Sequence, residues 1–523
     1  MNTLETGLQN IRHQLAGDRW FQLHRRCATF LLLIGFTIFG QWAAAQTWTS
    51  EFIKVDKSGK LVYIPDEKSN VIPDFSGVGY GKGVQAIPVI PVVKTVAPAG
   101  DSSQQLIQAA IDEVAAQPLN SKGFRGAILL KKGVYTIPGT IHLSASGIVL
   151  RGDGDETTLV ATGDQQRSLI FVAGKGGIKE VPGTRQAIVD NHVPVGATSF
   201  TVASTAGYRV NDSIIVFRPG TQNWIHDLKM DQIEKRDDST KQWQPEEYNL
   251  SFERIITRVE GNRIYLDYPI VMALDSTYGG GQIFKYHFEG RIKNVGVENL
   301  QCLSEYKNEE DEAHGWNAIL MNRCENGWVR NVTAKYFGYS CVNLGAQSRN
   351  MTVDSCRFLE PKSILTGGRR YSFNNDGQLN LVKNCFASEG RHDYVTGARV
   401  CGPNVFYNNR SVNAKADSGP HHRWTVGTLY DNIITDGEIN VQDRGNWGTG
   451  HGWAGANQVI WNCTVRKAAV QSPWVSGKNY VIGLQGEKYS GRLKGRPDAI
   501  WEGQNQPGLI PPSLYKAQQD QRN

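Results

Sequence analysis

A short phrase recurs along the second half of the chain and limits the folds open to it. Six segments between residues 329 and 464 combine an apolar, β-rich stretch with an asparagine, or once a serine, at the same place. Those polar positions are 331, 355, 384, 408, 432 and 462, so successive copies lie 24, 29, 24, 24 and 30 residues apart. A period near 24 without helical segments between the copies indicates a parallel β-helix, in which each coil supplies about three short strands.

Equivalent residues of neighbouring coils lie about 4.8 Å apart in such a fold, which leads to two predictions for the repeat. The polar side chains at one bend form a hydrogen-bonded ladder, to which either Asn408 or its neighbour Asn409 belongs. Cys356, Cys385 and Cys463 each follow a ladder position directly. We expect these cysteines to pack in the narrow apolar core rather than to take part in chemistry.

Upstream of the repeat, the sequence predicts one amphipathic helix followed by short strands. After a polar start at residues 101–103, apolar residues recur at helical spacing at Leu106, Ile107, Ala110, Ile111 and Val114. Short apolar runs bounded by Gly, Asp or Lys predict strands at 127–130, 134–137, 141–143, 148–150, 158–161 and 169–172. The 56 glycines among 523 residues are typical of a turn-rich β protein.

These segments resemble the pectate-lyase-like superfamily. The likeness rests on the helix at Asp101–Val114 and on the phrases Gly126–Tyr135 and Gly147–Gly154, and it covers about 100–180 and 290–490. It implies an all-β fold, a single-stranded right-handed parallel β-helix with an N-terminal cap helix. Members of this superfamily include polysaccharide lyases, glycoside hydrolases and non-catalytic tailspike-like proteins, so the resemblance leaves the activity open.

The sequence matches only one of the motifs of polygalacturonases, which argues against galacturonan hydrolysis of that type. Those enzymes carry Gly-His-Gly, which Gly450-His451-Gly452 matches, but their acidic motifs are missing upstream. The only Arg-Ile-Lys of the chain, at residues 291–293, lies on the wrong side of this motif.

The distribution of predicted strands along the chain divides it into six predicted segments. They are a signal peptide at 1–45, an extended N-terminal segment at 46–100, the cap helix with the first coils at 101–180, an inserted antiparallel β subdomain at 181–288, the main coils at 289–490 and a C-terminal tail at 491–523. The insertion is indicated by a hairpin pattern, in which Gly261-Asn262 separates the runs Arg254–Val259 and Arg263–Leu266.

The first 45 residues have the pattern of an export signal. Arg25 and Arg26 precede an apolar run from Ala28 to Gly40, and three alanines at 43–45 offer a cleavage site. The run is short for a bilayer span, although the long stretch before it leaves an uncleaved anchor open. We therefore expect a secreted protein, periplasmic or extracellular, without membrane contact after cleavage. The net charge of +6 is spread without a basic block, which does not favour nucleic acid as a partner.

The densest polar block runs from residue 369 to residue 451 and holds four of the eleven histidines. Within it, Arg370, Arg399, Arg423 and Trp447 each lie fifteen residues after a ladder position. The repeat therefore predicts a column of three arginines that ends in a tryptophan. Neighbouring guanidinium groups about 5 Å apart repel by roughly 1–3 kcal/mol, so a negative charge must lie nearby.

Two sources of that negative charge remain open. The protein's own carboxylates can form a structural ion-pair ladder, or the arginines can line a groove for an acidic polysaccharide, whose carboxylates arginine binds with two hydrogen bonds. In the second case, tryptophans of the block stack on sugar rings. The substrate-binding residues predicted on this basis are Arg370, Arg391, Asp443, Arg444, Trp447, His451 and Trp453.

For a polymer of uronic acids the natural reaction is β-elimination. A cation neutralises the C6 carboxylate, a base removes the C5 proton, and an acid assists departure of the C4 oxygen. Histidine titrates near neutral pH and suits the base, whereas arginine suits the neutralising group. The predicted catalytic residues are His392, Arg399, His421, His422, Arg423 and Tyr394, and each histidine alone is equally compatible with a structural role.

The spacing also pairs Asp393 with Asp417, each nine residues after a ladder position. Two carboxylates about 5 Å apart fit a retaining glycoside hydrolase. They also fit a Ca²⁺ site beside a uronate. The preferred hypothesis is a secreted polysaccharide lyase, with a glycoside hydrolase as the first alternative and a non-catalytic surface or sugar-binding β-helix as the second.

Overall fold

Three columns of parallel strands wind around one apolar core in the computed structural model, which describes residues 47–522. The fold is the right-handed parallel β-helix implied by the resemblance. The predicted signal peptide at 1–45 lies outside the described residues. Within the described part of the chain, no helix is long and apolar enough to cross a membrane.

The three columns are named here in the order in which the chain enters them. The first face consists of the strands Val92–Val96, Gly126–Leu130, Ile148–Gly152, Ile292–Lys293, Gly296–Ser304, Cys324–Lys335, Arg349–Asp354, Leu381–Lys383, Cys401–Tyr407, Thr425–Asp431, Gly455–Ala456, Val459–Trp461, Tyr480–Ile482 and Ile500–Glu502. The second face consists of the strands Gly133–Ile137, Thr157–Ala161, Arg357–Leu359, Phe386–Ser388, Arg410–Val412, Ile434–Val441, Thr464–Val470 and Gln485–Lys488, together with the ends of two long first-face strands. The third face consists of the strands Ile141–Leu143, Arg167–Ala173, Gly315–Asn322, Ser340–Leu344, Tyr371–Asn375, His392–Thr396 and Asp417–Pro420.

The predicted helix covers the N-terminal end of this core. It spans Ser103–Ala115 and buries Ile107, Ala110, Ile111 and Val114 against the first coils. The six strands predicted upstream of the insertion are all present, with ends within two residues of the expected positions. The first face begins earlier than predicted, at Val92–Val96, and coils continue beyond residue 490 to Ile500–Glu502.

The asparagine ladder of the repeat is present at one corner of the coils. All six ladder positions have positive φ, between 50° and 56°, a left-handed conformation that asparagine tolerates better than most residues. The side chain of Asn408 donates to Asn384 at 2.7 Å, whereas that of Asn409 turns into the core and donates to the Val382 carbonyl. Asn408 is therefore the ladder residue. All seven described cysteines are buried and free, as expected for packing residues.

Replacing Asn408 by alanine tests the contribution of this ladder to stability. Alanine pays a steric cost at positive φ and loses the hydrogen bond to Asn384, so we expect a loss of about 1–2 kcal/mol. Asn408→Gly keeps the left-handed conformation accessible and is expected to lose less. Denaturant unfolding followed by far-ultraviolet circular dichroism measures both variants, and equal losses would contradict the conformational argument.

The insertion leaves the β-helix at the end of the third-face strand Arg167–Ala173 and returns at Ile292–Lys293. It contains a seven-stranded antiparallel sheet, and the predicted hairpin is formed by Leu250–Glu260 and Arg263–Leu266. Its other strands are Lys179–Glu180, Gln186–Ala187, Ser199–Thr201, Ser213–Arg218 and Gln282–His287, with a separate pair at His192–Val193 and Leu274–Asp275 and one short helix at Gln222–Asp227.

A buried ion cluster joins the insertion to the β-helix. Glu253 of the insertion accepts two hydrogen bonds from Arg291, at 2.6 and 2.8 Å, one from Arg349 at 3.2 Å and one from the Tyr286 hydroxyl at 2.6 Å. Burial alone raises the pKa of Glu253, but Arg291 and Arg349 outweigh it and lower the pKa to about 2. The carboxylate is therefore charged at neutral pH and holds two buried guanidinium groups in place.

The two ends of the described chain pack on each other along the first face. The C-terminal helix Leu514–Arg522 places Gln518 against the backbone of Phe75 and Pro73. The short strands Ile53–Val55 and Leu61–Tyr63 pair near it, and Trp48–Thr49 pairs with Leu509–Ile510. The predicted C-terminal tail is therefore an ordered cover of the first face.

Candidate functional site

The candidate site lies at the corner where the third face turns into the first. The strands His392–Thr396 and Asp417–Pro420 end there. The long strand Ile434–Val441 also ends there, because its second half continues from the second face onto the third and pairs with Asp417–Pro420. The segments that follow these strands carry most of the polar block. The insertion leaves the β-helix at this same corner, four coils upstream of His392–Thr396, and its residues Asn249 and Ser251 contribute to one wall of the site.

Four histidines converge at this corner from three coils. The ring centroids of His392 and His421 are 4.5 Å apart, those of His421 and His422 are 5.1 Å apart, and those of His422 and His451 are 4.7 Å apart. His392 is fully buried and its Nδ1 contacts the Asp417 carbonyl at 2.8 Å, while the other three are half-buried. The four histidines that the sequence predicts to lie on one face are therefore neighbours in the structure.

The environment of this cluster keeps the imidazole rings uncharged. Burial, reinforced by neighbouring guanidinium groups, lowers the pKa of His392 and of His451 to about 4 and that of His422 to about 3. For His421, burial together with the other histidines and Arg444 lowers the pKa further still. A neutral imidazole can accept a proton, so each ring of the cluster is a candidate general base.

Three arginines of the site have no carboxylate partner within residues 47–522. Arg391 donates to the Gly367 carbonyl, and Arg423 donates to Thr449. Arg399 lies with its guanidinium carbon 5.5 Å from the centre of the Tyr248 ring. Arg444 is the exception, since it forms an ion pair with Asp417, whose other oxygen lies 3.6 Å from Nδ1 of His392. Within residues 47–522, none of the column arginines Arg370, Arg399 and Arg423 pairs with a carboxylate, so the structural ion-pair ladder considered above is not formed.

A groove of about 460 Å³ opens beside the histidines. Its floor includes Tyr339 and Tyr371 of the third-face coils, and Arg399 and His422 contribute to its side. The ring of Tyr371 lies 4.8 Å from that of His392 and 5.4 Å from that of His421. Burial raises the pKa of Tyr371, against the opposing charge of Arg391, so this phenol is protonated at neutral pH. The lining of the groove thus includes the phenol of Tyr371, the imidazole of His422 and the guanidinium group of Arg399.

An additional carboxyl group, Asp376, lines the same groove. It accepts hydrogen bonds from the Asn374 amide at 2.8 Å and from the Gly397 backbone at 3.0 Å. Burial raises the pKa of Asp376 despite these donors. The groove therefore combines its basic side with a polar floor that can bind hydroxyl groups.

The predicted column is correct for the pair Arg399 and Arg423. It is wrong at its two ends, Arg370 and Trp447. The backbone NH of Arg399 donates to the Arg423 carbonyl at 2.8 Å, so these two residues stack. The Arg370 carbonyl instead accepts from Arg391 and His392, because the extra residues of that coil loop out before Arg370 and the third-face register steps by 21 residues. Arg423 stacks on His451 rather than on Trp447.

Several predicted site residues lie away from the groove. Tyr394 stacks inside the core on Phe373 and donates to the Cys385 and Arg410 carbonyls. Arg370 is buried and donates to Ser363. Both were expected to meet substrate, but inward-facing strand positions and a looped-out segment place them in the scaffold.

The tryptophans and Asp443 also have structural partners. Trp453 is fully buried against the insertion, where its Nε1 donates to the Leu228 carbonyl at 3.2 Å. Asp443 accepts from Arg496 at 2.7 Å and from the Gly445 backbone. Trp447 is partly exposed at the edge of the site, with the guanidinium carbons of Arg444 and Arg492 at 5.5 and 4.9 Å from its ring.

The two predicted metal ligands have different partners. Asp393 accepts a hydrogen bond from Ser372 at 2.6 Å, while Asp417 pairs with Arg444. In the part of the chain described here, no group of three or more His, Cys, Asp or Glu side chains is arranged to hold a metal ion. Nor does this arrangement favour the hydrolase alternative, which needs two carboxylates that face the same sugar.

Sequence reasoning missed Tyr371, Asp376 and Tyr248. Tyr371 follows Arg370 directly, but its alignment with His392 depends on where the extra residues of its coil loop out. Tyr248 belongs to the insertion, which carries no repeat, and so no pattern in the sequence connects it with the polar block.

The fold and the site together define a parallel β-helix with a polar groove beside a cluster of four histidines. No family model matches the chain, and no curated protein matches it in sequence. Among solved structures, the chain is similar to the tailspike protein gp49 from Pseudomonas phage LKA1, with 13% identity, a TM-score of 0.38 and coverage of 78% of this chain and 74% of that one. It is also similar to an alginate lyase from Paenibacillus sp. str. FPU-7, with 10% identity, a TM-score of 0.39 and coverage of 79% and 100%. The catalytic domain of a GH87 α-1,3-glucanase has 12% identity, a TM-score of 0.37 and coverage of 82% and 67%.

Proposed function

We propose that this protein is an exported polysaccharide lyase that cleaves a uronic-acid-containing glycan by β-elimination. The observation that supports this most directly is the set of three arginines without carboxylate partners around a cluster of neutral histidines. Guanidinium groups without a carboxylate partner, in and beside a partly buried groove, attract an anionic ligand. A sugar carboxylate fits the size of the groove and the chemistry of its walls.

In the proposed reaction, Arg399 and Arg423 bind the C6 carboxylate of the uronate. By neutralising it, they stabilise the negative charge that develops at C5 and C6 as the C5 proton leaves. His422 lines the groove beside Arg399 and removes this proton. Burial is the main cause of the lowered pKa of His422, and the neighbouring positive charges add to it. Binding of the carboxylate offsets those charges, which makes the imidazole a stronger base in the complex.

Departure of the C4 oxygen completes the elimination. The electrons of the C5–H bond form the C4–C5 double bond, the C4–O bond breaks, and the leaving oxygen takes a proton from the Tyr371 hydroxyl. Tyr371 is suited to this role because it lines the groove next to the histidines and stays protonated at neutral pH. Water restores the proton of Tyr371 and removes that of His422 after the products leave.

The pH dependence of this mechanism follows from the lowered pKa of His422. The base is active when neutral, so kcat/KM, which reports the free enzyme, is expected to fall only as pH drops toward about 3. Because bound carboxylate raises the pKa of His422, the acid limb of kcat is expected at higher pH than that of kcat/KM. Initial rates between pH 3 and pH 9 measure both, and a limb of kcat/KM near the ordinary histidine value of about 6.5 would contradict the assignment.

The proposed function is tested by following the ultraviolet absorbance of the unsaturated product. Purified mature protein is incubated with alginate, polygalacturonate, glucuronan, ulvan and chondroitin, each with calcium and with a chelator. We expect rising absorbance on at least one polymer and none with His422→Ala. Reducing ends without absorbance would replace the lyase by the hydrolase alternative, and neither signal on any polymer would contradict the proposal. The comparison of calcium with chelator tests the cofactor prediction.

A further inference from the structure

The insertion is fastened to the polar block at several points. The Arg236 side chain donates to the Gly448 carbonyl at 2.8 Å, and the Lys241 backbone donates to the Thr449 carbonyl at 3.1 Å. Trp224 packs edge-on against Trp424, with ring centroids 4.9 Å apart. These contacts hold the segment around residues 236–250 against the polar block, next to the groove that Asn249 lines.

Tyr248 is the residue of this segment that reaches the arginines. Its ring is stacked on Trp243, with centroids 4.0 Å apart and planes inclined by 15°, and the Arg399 guanidinium carbon lies 5.5 Å from the ring centre. The next residues along the chain, Asn249 and Ser251, line the groove itself. The insertion therefore supplies part of the site rather than a separate module.

The hydroxyl of Tyr248 is buried, and within residues 47–522 no polar group meets it with hydrogen-bond geometry. A buried, unpaired hydroxyl costs free energy, so its presence calls for an explanation. Burial raises the pKa of Tyr248, while the charges of Arg423 and Arg399 oppose this effect. Both arginines thus act on this phenol, and both also act on His422. The hydroxyl oxygen is free to accept a hydrogen bond from a guanidinium group that turns toward a ligand.

We propose that Tyr248 of the insertion is a positioning residue that orients Arg399 and Arg423 for the substrate carboxylate. This inference rests on the proposed function. When the substrate carboxylate binds, the Tyr248 oxygen accepts one guanidinium N–H that turns toward it. The Tyr248 ring supports the Arg399 group from the side, so the remaining donors point into the groove. Because the hydroxyl is buried, it acts through the arginines and does not touch the sugar. The role of the insertion is then to make the groove selective for free carboxylates.

Tyr248→Phe tests this role because it removes the hydroxyl and leaves the stack on Trp243 intact. The probe is the polymer of the panel that the wild type cleaves fastest, and a methyl-esterified form of the same polymer serves as the uncharged comparison. We expect KM for the free acid to rise about tenfold, with kcat within about threefold of wild type. The preference for free acid over ester is expected to shrink by a similar factor. Tyr265→Phe, a more exposed tyrosine of the same subdomain whose hydroxyl donates to Glu260, is the matched control and is expected to change neither value.

A double-mutant cycle separates positioning from a general loss of structure. In an Arg399→Ala, Arg423→Ala background, Tyr248→Phe is expected to have no further effect on KM, since its targets are gone. Additive effects, or a wild-type KM and ester preference in Tyr248→Phe alone, would overturn the inference while leaving lyase activity in place. An inactive wild type would instead overturn the proposed function.

Discussion

Replacement of Arg399 by alanine is expected to lower kcat/KM on the acidic polymer by about 10²–10³, the effect of removing one preorganised donor to a developing negative charge. Arg399 is partly exposed and forms no ion pair with a residue of the described chain, so its removal leaves no buried charge unpaired. The loss is therefore expected in catalysis and not in stability, with an unfolding midpoint close to that of wild type.

Two further variants sharpen this prediction. Arg399→Lys keeps the charge but loses the two parallel hydrogen bonds to a carboxylate, so a partial recovery is expected. Arg410→Ala removes an exposed arginine from the second face and serves as the control, with unchanged kinetics. If Arg399→Ala retained wild-type kcat/KM, the carboxylate site would lie elsewhere.

The second large effect concerns stability, and we expect it from Glu253→Gln. This change removes the carboxylate that hydrogen-bonds both Arg291 and Arg349 in a buried cluster, and leaves them with the more distant Glu325, at 4.0 and 3.7 Å. Breaking a buried pair in this way typically costs about 3–5 kcal/mol. Because the cluster joins the insertion to the β-helix, the loss is expected in the unfolding midpoint and also in KM, through displacement of Tyr248.

The same cluster predicts how stability depends on pH. The pKa of Glu253 is lowered to about 2 in the folded protein, so its contribution is fully present above the unfolded value of about 4.3 and is lost as pH falls toward 2. Thermal unfolding measured from pH 7 to pH 3 is expected to show a shallower acid dependence in Glu253→Gln than in wild type. Glu260→Gln, in the exposed pair with Arg258, is the control and is expected to shift stability by less than about 0.5 kcal/mol. Identical acid dependence in wild type and Glu253→Gln would contradict the assignment.

Much of the scaffold could be predicted from residues close together along the chain. The 24-residue period, the asparagines at the ladder corner and the helix at Ser103–Ala115 all reflect local rules, namely strand length, tolerance of positive φ and helical spacing of apolar residues. The clustering of the histidines also followed from the period, because His392, His421 and His451 lie in successive coils. The direction of side chains within those coils did not follow, which is why Tyr394 was expected in the groove although it faces the core.

Sequence by itself determined the coil, its ladder corner and the stretch of chain that carries the polar block, because in a β-helix the distance along the chain translates directly into stacking. Tertiary structure alone decided which polar groups meet. Surplus residues that loop out before Tyr371 reduce the third-face step of that coil to 21 residues, where the ladder positions predict 29, and this places Tyr371 beside His392 and His421. The insertion brought Tyr248 to Arg399 from about 150 residues away through apolar packing and buried ion pairs, which no local pattern encodes.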